Sequence, residues 1–183
     1  MVRIFDFLFS FFGLLVLSPV LLILFVITYF DTGSPLFRQE RIGRFEEPFT
    51  LVKFRTMQFD TASVASHLVD KSAITSIGSF LRKSHLDELP QLWNVLKGNM
   101  SLVGPRPALF SQEKLRDARK KHDVYRVRPG ITGLSQVSGL DTSTPELLAE
   151  TDAKMIQNLS LIDYFKFIIA TASGKGGGDA AQR

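Results

Sequence analysis

The sequence predicts an α+β, mostly helical protein that folds as a single compact domain. Three observations support this class. An apolar run fills residues 4–30, two strand-like runs follow within residues 35–57, and helical patterns dominate from residue 77 onward. The length of 183 residues suits one domain and suffices to bury a core.

The apolar run allows three interpretations. A signal peptide is disfavoured, because the run is long and no small-x-small cleavage site precedes Asp31. A transmembrane helix fits, since about 20 apolar residues cross a bilayer. The break at Ser18-Pro19 instead predicts a kink between halves of about a dozen residues, each too short to cross alone. Such a Pro-kinked pair would be re-entrant; hydropathy alone favours spanning.

Composition narrows the partners. The chain has no cysteine, which excludes a disulfide framework and a thiolate metal site. Its net charge of +4 favours anionic partners such as membrane phospholipids and phosphorylated substrates. No nucleic-acid-binding motif is present, so nucleic acid is not an expected partner.

The runs "PLFRQERIG" and "PFTLVKFRTM", separated by a Gly/Glu/Pro turn, predict a small β-hairpin. Arg38 and Arg44 fit a basic collar on anionic lipid. Lys53 and Arg55 flank Phe54 in an otherwise apolar strand, which lipid contact explains less well. We therefore assign these two as candidates for binding substrate phosphate.

A helix is predicted after the polar loop that spans residues 58–76. Proline is tolerated in a first helical turn, so Pro90 places the helix start near Leu86 to Leu89, with Asp87 and Glu88 at its N-terminus. Gly98 is the expected stop. The predicted apolar face of this helix comprises Leu89, Leu92, Trp93 and Leu96.

Two interpretations of the adjacent carboxylates remain open. Acidic residues in a first helical turn commonly complement the helix dipole and perform no chemistry. Alternatively, an ionised carboxylate there attacks phosphorus as a nucleophile, or binds a hard cation such as Mg²⁺ together with substrate phosphates.

The remaining chain reads as a charged helix, a rigid Gly-rich segment and a helical pattern over residues 145–171 whose end is amphipathic enough to lie at a bilayer interface. Lys114, Arg116, Arg119, Lys120 and Lys121 are expected on a solvated or lipid-facing side. The predicted division is a membrane helix over residues 1–30, a catalytic domain over 31–172 and a disordered tail over 173–183.

Four segments together resemble the bacterial sugar transferases, and specifically the small monotopic polyprenyl-phosphate phosphoglycosyl transferases. They are "FRQERIG", "KFRTM", "SHLDELPQLWNVLKGNMSLVGPRP" and "VRPGITGLSQV". The resemblance implies transfer of sugar 1-phosphate from a UDP-sugar to a polyprenyl phosphate such as undecaprenyl phosphate, with release of UMP. It also implies a re-entrant helix at Ser18-Pro19 and a location at the cytoplasmic face of the bacterial inner membrane, where the reaction begins glycoconjugate assembly.

By matching position, the resemblance makes Asp87 the nucleophile, which forms a covalent phosphosugar-aspartate with Mg²⁺ bound nearby. It assigns Glu88 to activating the polyprenyl phosphate or positioning the metal. Basic residues expected to bind substrate are Lys53, Arg55, Arg82, Arg106 and Arg128. His85, Ser135 and Leu140 depart from the residues that are usual at their positions.

Two other functions stay open at this point. One is a membrane-bound, metal-dependent pyrophosphatase acting on nucleotide sugars, and the other is a non-catalytic scaffold that binds anionic lipid. The sequence does not identify the sugar or the pathway, and it leaves open whether the protein is a homo-oligomer.

Overall fold

A computed structural model describes residues 2–58 and 73–174 of the chain. These residues form seven helices and four strands. In chain order they are α1 (Val2–Thr32), β1 (Leu36–Ile42), β2 (Pro48–Phe54), α2 (Ser76–Lys83), α3 (Gln91–Lys97), β3 (Ser101–Val103), α4 (Glu113–Lys121), β4 (Gly130–Thr132), α5 (Leu134–Val137), α6 (Pro145–Asn158) and α7 (Leu161–Ala172). The mostly helical α+β class is confirmed. The predicted tail lies outside the described residues from residue 175 onward.

Helix α1 continues through Pro19, although proline lacks the N–H that would bond the carbonyl of Leu15. The Ser18 hydroxyl supplies a replacement, because its Oγ donates to the Leu15 oxygen over 2.8 Å. The 31-residue helix is therefore unbroken and about 46 Å long at 1.5 Å per residue. The Ser18-Pro19 pair is thus accommodated locally, by a side chain adjacent to the proline.

One stripe of α1 lies against the rest of the protein along the whole helix. Its buried residues are Asp6, Ser10, Leu24 and Thr28, which share a face at helical spacing. The other faces expose large apolar side chains from Ile4 to Phe30. With a mean hydropathy of 2.7, α1 is long and apolar enough to cross a membrane by length and composition. These properties indicate membrane association through α1.

Both ends of α1 are attached to the same folded domain. At the start, the Arg3 guanidinium donates to the carbonyl oxygens of Leu96 and Met100 over 3.2 and 3.3 Å. At the end, Asp31 accepts a 2.6 Å hydrogen bond from the Thr75 hydroxyl, at the N-terminus of α2. The domain therefore extends alongside α1 over almost its full length.

Asp6 anchors the first turns of α1. Its side chain is 2% exposed, and Oδ1 accepts hydrogen bonds from the Ser101 hydroxyl, the Leu102 N–H and the Tyr164 hydroxyl at 3.0, 2.9 and 2.8 Å. A buried carboxylate is tolerated when several donors replace its water shell. Through Asp6, α1 is joined to β3 and to α7.

The predicted hairpin is confirmed. Strands β1 and β2 pair antiparallel, from Leu36 opposite Phe54 to Ile42 opposite Pro48. The outer edge of β2 is paired by a side chain of α3, since the Asn94 amide accepts from the Val52 N–H over 3.1 Å and donates to the Thr50 oxygen over 2.7 Å. This contact fixes α3 against the hairpin.

A second, parallel pair joins β3 to β4, and β4 lies in the segment that the sequence predicted to be rigid and Gly-rich. Gly104 and Gly130 make the pairing possible, because a Cβ on Gly130 would lie 2.0 Å from the Gly104 nitrogen. Each strand has three residues, too few to show a strand periodicity in the sequence.

Four other expectations are wrong in detail. Helix α3 begins at Gln91 instead of near Leu86 to Leu89, because Pro90 lacks the N–H that a continuous helix would require, and Asp87 and Glu88 lie in a separate 3-10 turn before it. Trp93, on the predicted apolar face of α3, is 52% exposed. Arg119 is buried instead of solvated. The helical pattern from residue 145 is broken between α6 and α7, where Ser160 caps α7 by accepting from the Asp163 N–H.

Candidate active site

Asp87 and Glu88 lie in a single 3-10 turn, Leu86–Glu88, directly before α3; we call it the Asp87 turn. The turn begins at His85, whose φ of 56° is left-handed, and Pro90 caps α3. Proline cannot donate the N–H that a continuous helix would require, so a separate turn precedes α3. Asp87 is 4% exposed, whereas Glu88 is partly exposed. The two adjacent carboxylates thus occupy different environments.

Glu88 forms an ion pair with Arg106, with 3.2 Å between Oε1 and Nη2. Arg106 lies in the loop Pro105–Ala108, which we call the Arg106 loop. Its four successive carbonyl oxygens each accept a hydrogen bond. The donors are, in order, the Gly130 N–H, the Arg119 and Arg41 guanidinium groups and the Ile42 N–H, at 2.8, 2.7, 3.0 and 3.0 Å. The backbone that presents Arg106 to Glu88 is therefore fixed at each residue.

A buried ion pair supports this loop. Arg119 Nε and Nη2 both donate to Oδ2 of Asp152, over 3.0 and 2.7 Å, and both side chains are almost fully buried. The Ser135 hydroxyl donates to Oδ1 of Asp152 over 2.7 Å. Ser135, a departure noted in the sequence, therefore completes the hydrogen bonding of this carboxylate.

The sequence reading missed this pair, although one signal was present. Asp152 occurs four residues after Leu148 and one before Ala153, on the face of α6 that is buried. A charged residue at an apolar helical position requires a buried partner. The pattern alone did not indicate which basic residue supplies it.

Lys53 and Arg55 both lie close to one aromatic ring, that of Phe37. Strand β2, which contains Lys53, packs against the Asp87 turn. The Lys53 ammonium lies 5.7 Å from the centroid of the Phe37 ring, and the Arg55 guanidinium carbon lies 5.6 Å from it. Lys53 is 8% exposed, and Arg55 also donates to the Ser34 oxygen over 3.0 Å. Two of the side chains predicted to bind phosphate therefore lie beside Phe37.

Arg82 is 3% exposed at the end of α2, where its Nε donates to the Thr56 hydroxyl over 2.8 Å. Its Nη1 is buried and has no hydrogen-bond partner among the described residues. A buried donor without a partner is energetically costly. This nitrogen is therefore suited to an anionic oxygen that arrives with a substrate.

Arg128 lies elsewhere. Its Nε donates to the Gly98 oxygen over 2.8 Å, at the end of α3 opposite to the Asp87 turn. Burial lowers the pKa of Arg128, and the nearby charges of Arg3 and Arg44 lower it further. Arg106 thus contacts the turn directly, and β2 and α2, which carry Lys53 and Arg82, pack against it, whereas Arg128 lies apart from it.

The two carboxylates determine how a metal ion would be held. Within residues 2–58 and 73–174, no group of three or more His, Asp or Glu side chains is arranged to bind a metal. Mg²⁺ commonly binds through one or two carboxylates together with substrate phosphates. The pair Asp87 and Glu88 fits that mode, in which the substrate completes the ligand set.

Comparison with known proteins identifies the family. The family sequence model described as "Bacterial sugar transferase" matches residues 1–175. The chain belongs to this family. Among curated relatives of this bacterial sugar transferase, "Uncharacterized sugar transferase EpsL" of Bacillus subtilis (strain 168) is 39% identical over 92% of the chain and 84% of its own length.

Two further relatives carry more specific names. "UDP-glucose:undecaprenyl-phosphate glucose-1-phosphate transferase" of Caulobacter vibrioides is 40% identical over 84% of the chain and 61% of its own length. "Undecaprenyl-phosphate galactose phosphotransferase" of Salmonella typhimurium is 34% identical over 93% of the chain and 39% of its own length. The chain therefore spans less than two thirds of both of these relatives.

Proposed function

We propose that the protein transfers sugar 1-phosphate from a UDP-sugar to a polyprenyl phosphate such as undecaprenyl phosphate, and releases UMP. The observation that carries the proposal is the Asp87 turn, which sets a buried carboxylate beside a second carboxylate paired with a fixed arginine. All three participants in this reaction are phosphates, which accounts for the basic residues gathered around the turn.

In the first step, a carboxylate oxygen of Asp87 attacks the sugar-bearing phosphorus. The bond from this phosphorus to the bridging oxygen of the diphosphate breaks, UMP leaves with that oxygen, and a covalent phosphosugar-aspartate forms. In the second step, an oxygen of the polyprenyl phosphate attacks the same phosphorus and displaces Asp87. Glu88 orients the incoming phosphate or accepts its proton.

The basic residues stabilise negative charge during both steps. Lys53 and the buried Nη1 of Arg82 hold the diphosphate oxygens. Arg106 partly neutralises the charge of Glu88 and shapes the nucleotide-binding side of the site. Arg55, whose guanidinium carbon lies 5.6 Å from the centroid of the Phe37 ring, binds the same diphosphate. Substrate binding by Arg128 stays a prediction from the resemblance.

Mg²⁺ is the expected cofactor, held by Asp87 with help from Glu88 and the substrate phosphates. When bound, it supplies positive charge that offsets the negative charge developing on the diphosphate. The chain holds the two carboxylates on one short turn. The metal ion would therefore bind beside the phosphorus atom that Asp87 attacks.

We also propose that α1, although continuous, bends at Ser18-Pro19 and is re-entrant, so that the protein is monotopic and lies at the cytoplasmic face of the bacterial inner membrane. The supporting observation is that Arg3 and Asp31, at opposite ends of α1, contact one domain. A helix that crossed the bilayer would carry one end away from that domain. Phospholipids would then surround the exposed apolar side of α1.

The deciding experiment measures UMP release from a panel of UDP-sugars with Mg²⁺, with and without undecaprenyl phosphate, by protein in nanodiscs. We expect lipid-dependent release that disappears in Asp87→Asn and persists in Asp117→Asn, a matched change on the exposed side of α4. Repeated turnover without lipid would indicate the pyrophosphatase instead. Salt-sensitive liposome binding without release from any donor would indicate the scaffold.

A further inference from the structure

An open cavity of about 360 Å³ adjoins the Asp87 turn on the side of α3, the β3–β4 pair and the end of α7. Its walls are mainly apolar and include Leu86, Leu89, Leu92, Leu102, Ile131 and Ile168. Glu88 is its acidic residue, and Lys83 and His85 line the same end. One of the two catalytic candidates thus faces a largely hydrocarbon-lined space.

The polar groups of the walls are mostly engaged. The hydroxyls of Thr132 and Thr171, which both line the cavity, hydrogen-bond to each other. A uridine or a sugar would require several free donors and acceptors, whereas an apolar chain requires none. The wall chemistry therefore favours a hydrocarbon occupant that carries a charged group at the Glu88 end.

The position of the cavity favours a lipid. Leu92 contributes to its wall and also contacts α1, since a Cβ on Gly13 would lie 3.3 Å from Leu92 Cδ1. One side chain of α3, that of Leu92, therefore lies between the cavity and α1, the apolar helix through which the protein associates with a membrane. A chain leaving the bilayer beside α1 would have a short path to Glu88.

We infer that this cavity binds the first isoprene units of the acceptor lipid, with the acceptor phosphate between Glu88 and Lys83. Each carbon group needs roughly 30 Å³, which is similar to the volume of one water molecule in the liquid. The cavity of about 360 Å³ can therefore hold about two five-carbon units. The inference rests on the proposed function. It assigns the two substrates to different sides of the Asp87 turn, with the donor near Lys53 and Arg82 and the acceptor in the cavity.

The test uses a bulky side chain to reduce the space at the exposed end of the cavity. Ala172→Trp places a large ring at the exposed end of the cavity, and Ile169→Trp places the same ring on α7 at a site that is 63% exposed and does not line it. We expect Ala172→Trp to raise the KM for undecaprenyl phosphate about tenfold, equivalent to about 1.4 kcal/mol. Ile169→Trp should leave it unchanged. An unchanged KM in both variants would overturn the inference.

A separate measurement follows the first half-reaction, the exchange of labelled UMP into UDP-sugar without any acceptor. Exchange should be equal in wild type and Ala172→Trp, because the donor does not enter the cavity. Absence of exchange in wild type would count against the covalent intermediate of the proposed function. The KM for undecaprenyl phosphate in the two tryptophan variants would still decide whether the acceptor binds in the cavity.

Photolabelling provides a check that needs no variant. An undecaprenyl phosphate analogue with a diazirine in its first isoprene unit should label residues of the cavity, and undecaprenyl phosphate should displace it. Labelling confined to other residues would overturn the inference. Equal displacement by phosphatidylglycerol would also overturn it, since the occupant would then be a phospholipid acyl chain.

Discussion

Arg119 donates a 2.7 Å hydrogen bond to the backbone carbonyl of Arg106, the residue whose side chain pairs with Glu88. The buried pair of Arg119 with Asp152 is thereby connected to the Asp87 turn through a single peptide oxygen. In the hydrogen bonds and ion pairs of the described residues, neither member of this pair contacts the turn itself, so we treat both as positioning residues.

Asp152→Ala should lower the free energy of unfolding by about 3–5 kcal/mol, because it leaves the guanidinium of Arg119 buried without its anion. Chemical unfolding in detergent would measure this loss. Lys166→Ala is the control, since it removes an ion pair whose lysine is 69% exposed. It should change stability by less than about 1 kcal/mol. Equal losses in the two variants would contradict the assigned role of Asp152.

Arg106→Ala should reduce kcat for UMP release by about 10²-fold, the usual effect of removing one fixed charge-stabilising donor. Combining it with Glu88→Gln should cost less than the sum of the two single losses, because the two side chains form one unit. Arg116→Ala is the matched control, since Arg116 pairs with Glu46. Among the hydrogen bonds and ion pairs of the described residues, Arg116 has none with the Asp87 turn. Full additivity would show that the pair does not act together.

Ser18→Ala should destabilise the protein in nanodiscs by about 1 kcal/mol, because the Leu15 oxygen then loses its hydrogen bond beside Pro19. The effect should disappear when Pro19 is also changed to alanine, since the restored N–H can bond Leu15. Thermal unfolding of the four proteins of this cycle would measure the coupling. An equal effect of Ser18→Ala with and without Pro19 would contradict the explanation.

Burial raises the pKa of Tyr164, and the adjacent carboxylate of Asp6 raises it further. The folded protein therefore keeps this proton where the unfolded chain, with an ordinary tyrosine pKa near 10, releases it. The stabilisation from Tyr164 is complete below pH 10 and is lost as the pH rises further.

The stability difference between wild type and Tyr164→Phe should accordingly shrink between pH 8 and pH 11. Phe80→Leu, which alters a ring that is 62% exposed and has no titratable group, should follow wild type over the same range. Burial also raises the pKa of Tyr125, so part of the alkaline loss will persist in Tyr164→Phe. A constant difference would contradict the prediction.

Features encoded by local patterns were predictable from the sequence. The hairpin and the stop of α3 at Gly98 follow from turn residues and alternation, whereas the predicted helix start near Leu86 to Leu89 was too early, because α3 begins at Gln91. Pro90 was the most informative residue, because it restricts where α3 can begin.

Features that depend on distant partners were not predictable. Arg119 and Asp152 are 33 positions apart, and neither α4 nor α6 carries a local signal for the other. Trp93 is 52% exposed although it belongs to the apolar face of α3, and an apolar stripe in the sequence does not show how much of it a neighbouring element covers. Ser135 became interpretable once its bond to Asp152 was known.

The attachment of both ends of α1 to one domain has a consequence for the bilayer itself. In the proposed re-entrant arrangement, α1 would insert its apolar side into a single leaflet and add area there, but none to the opposite leaflet. It would therefore act as a wedge, and wedges insert more readily where lipid packing is loose or the surface is curved. Through Asp6, Leu24 and Asp31, the geometry of one helix would make the amount of membrane-bound enzyme depend on the mechanical state of the membrane.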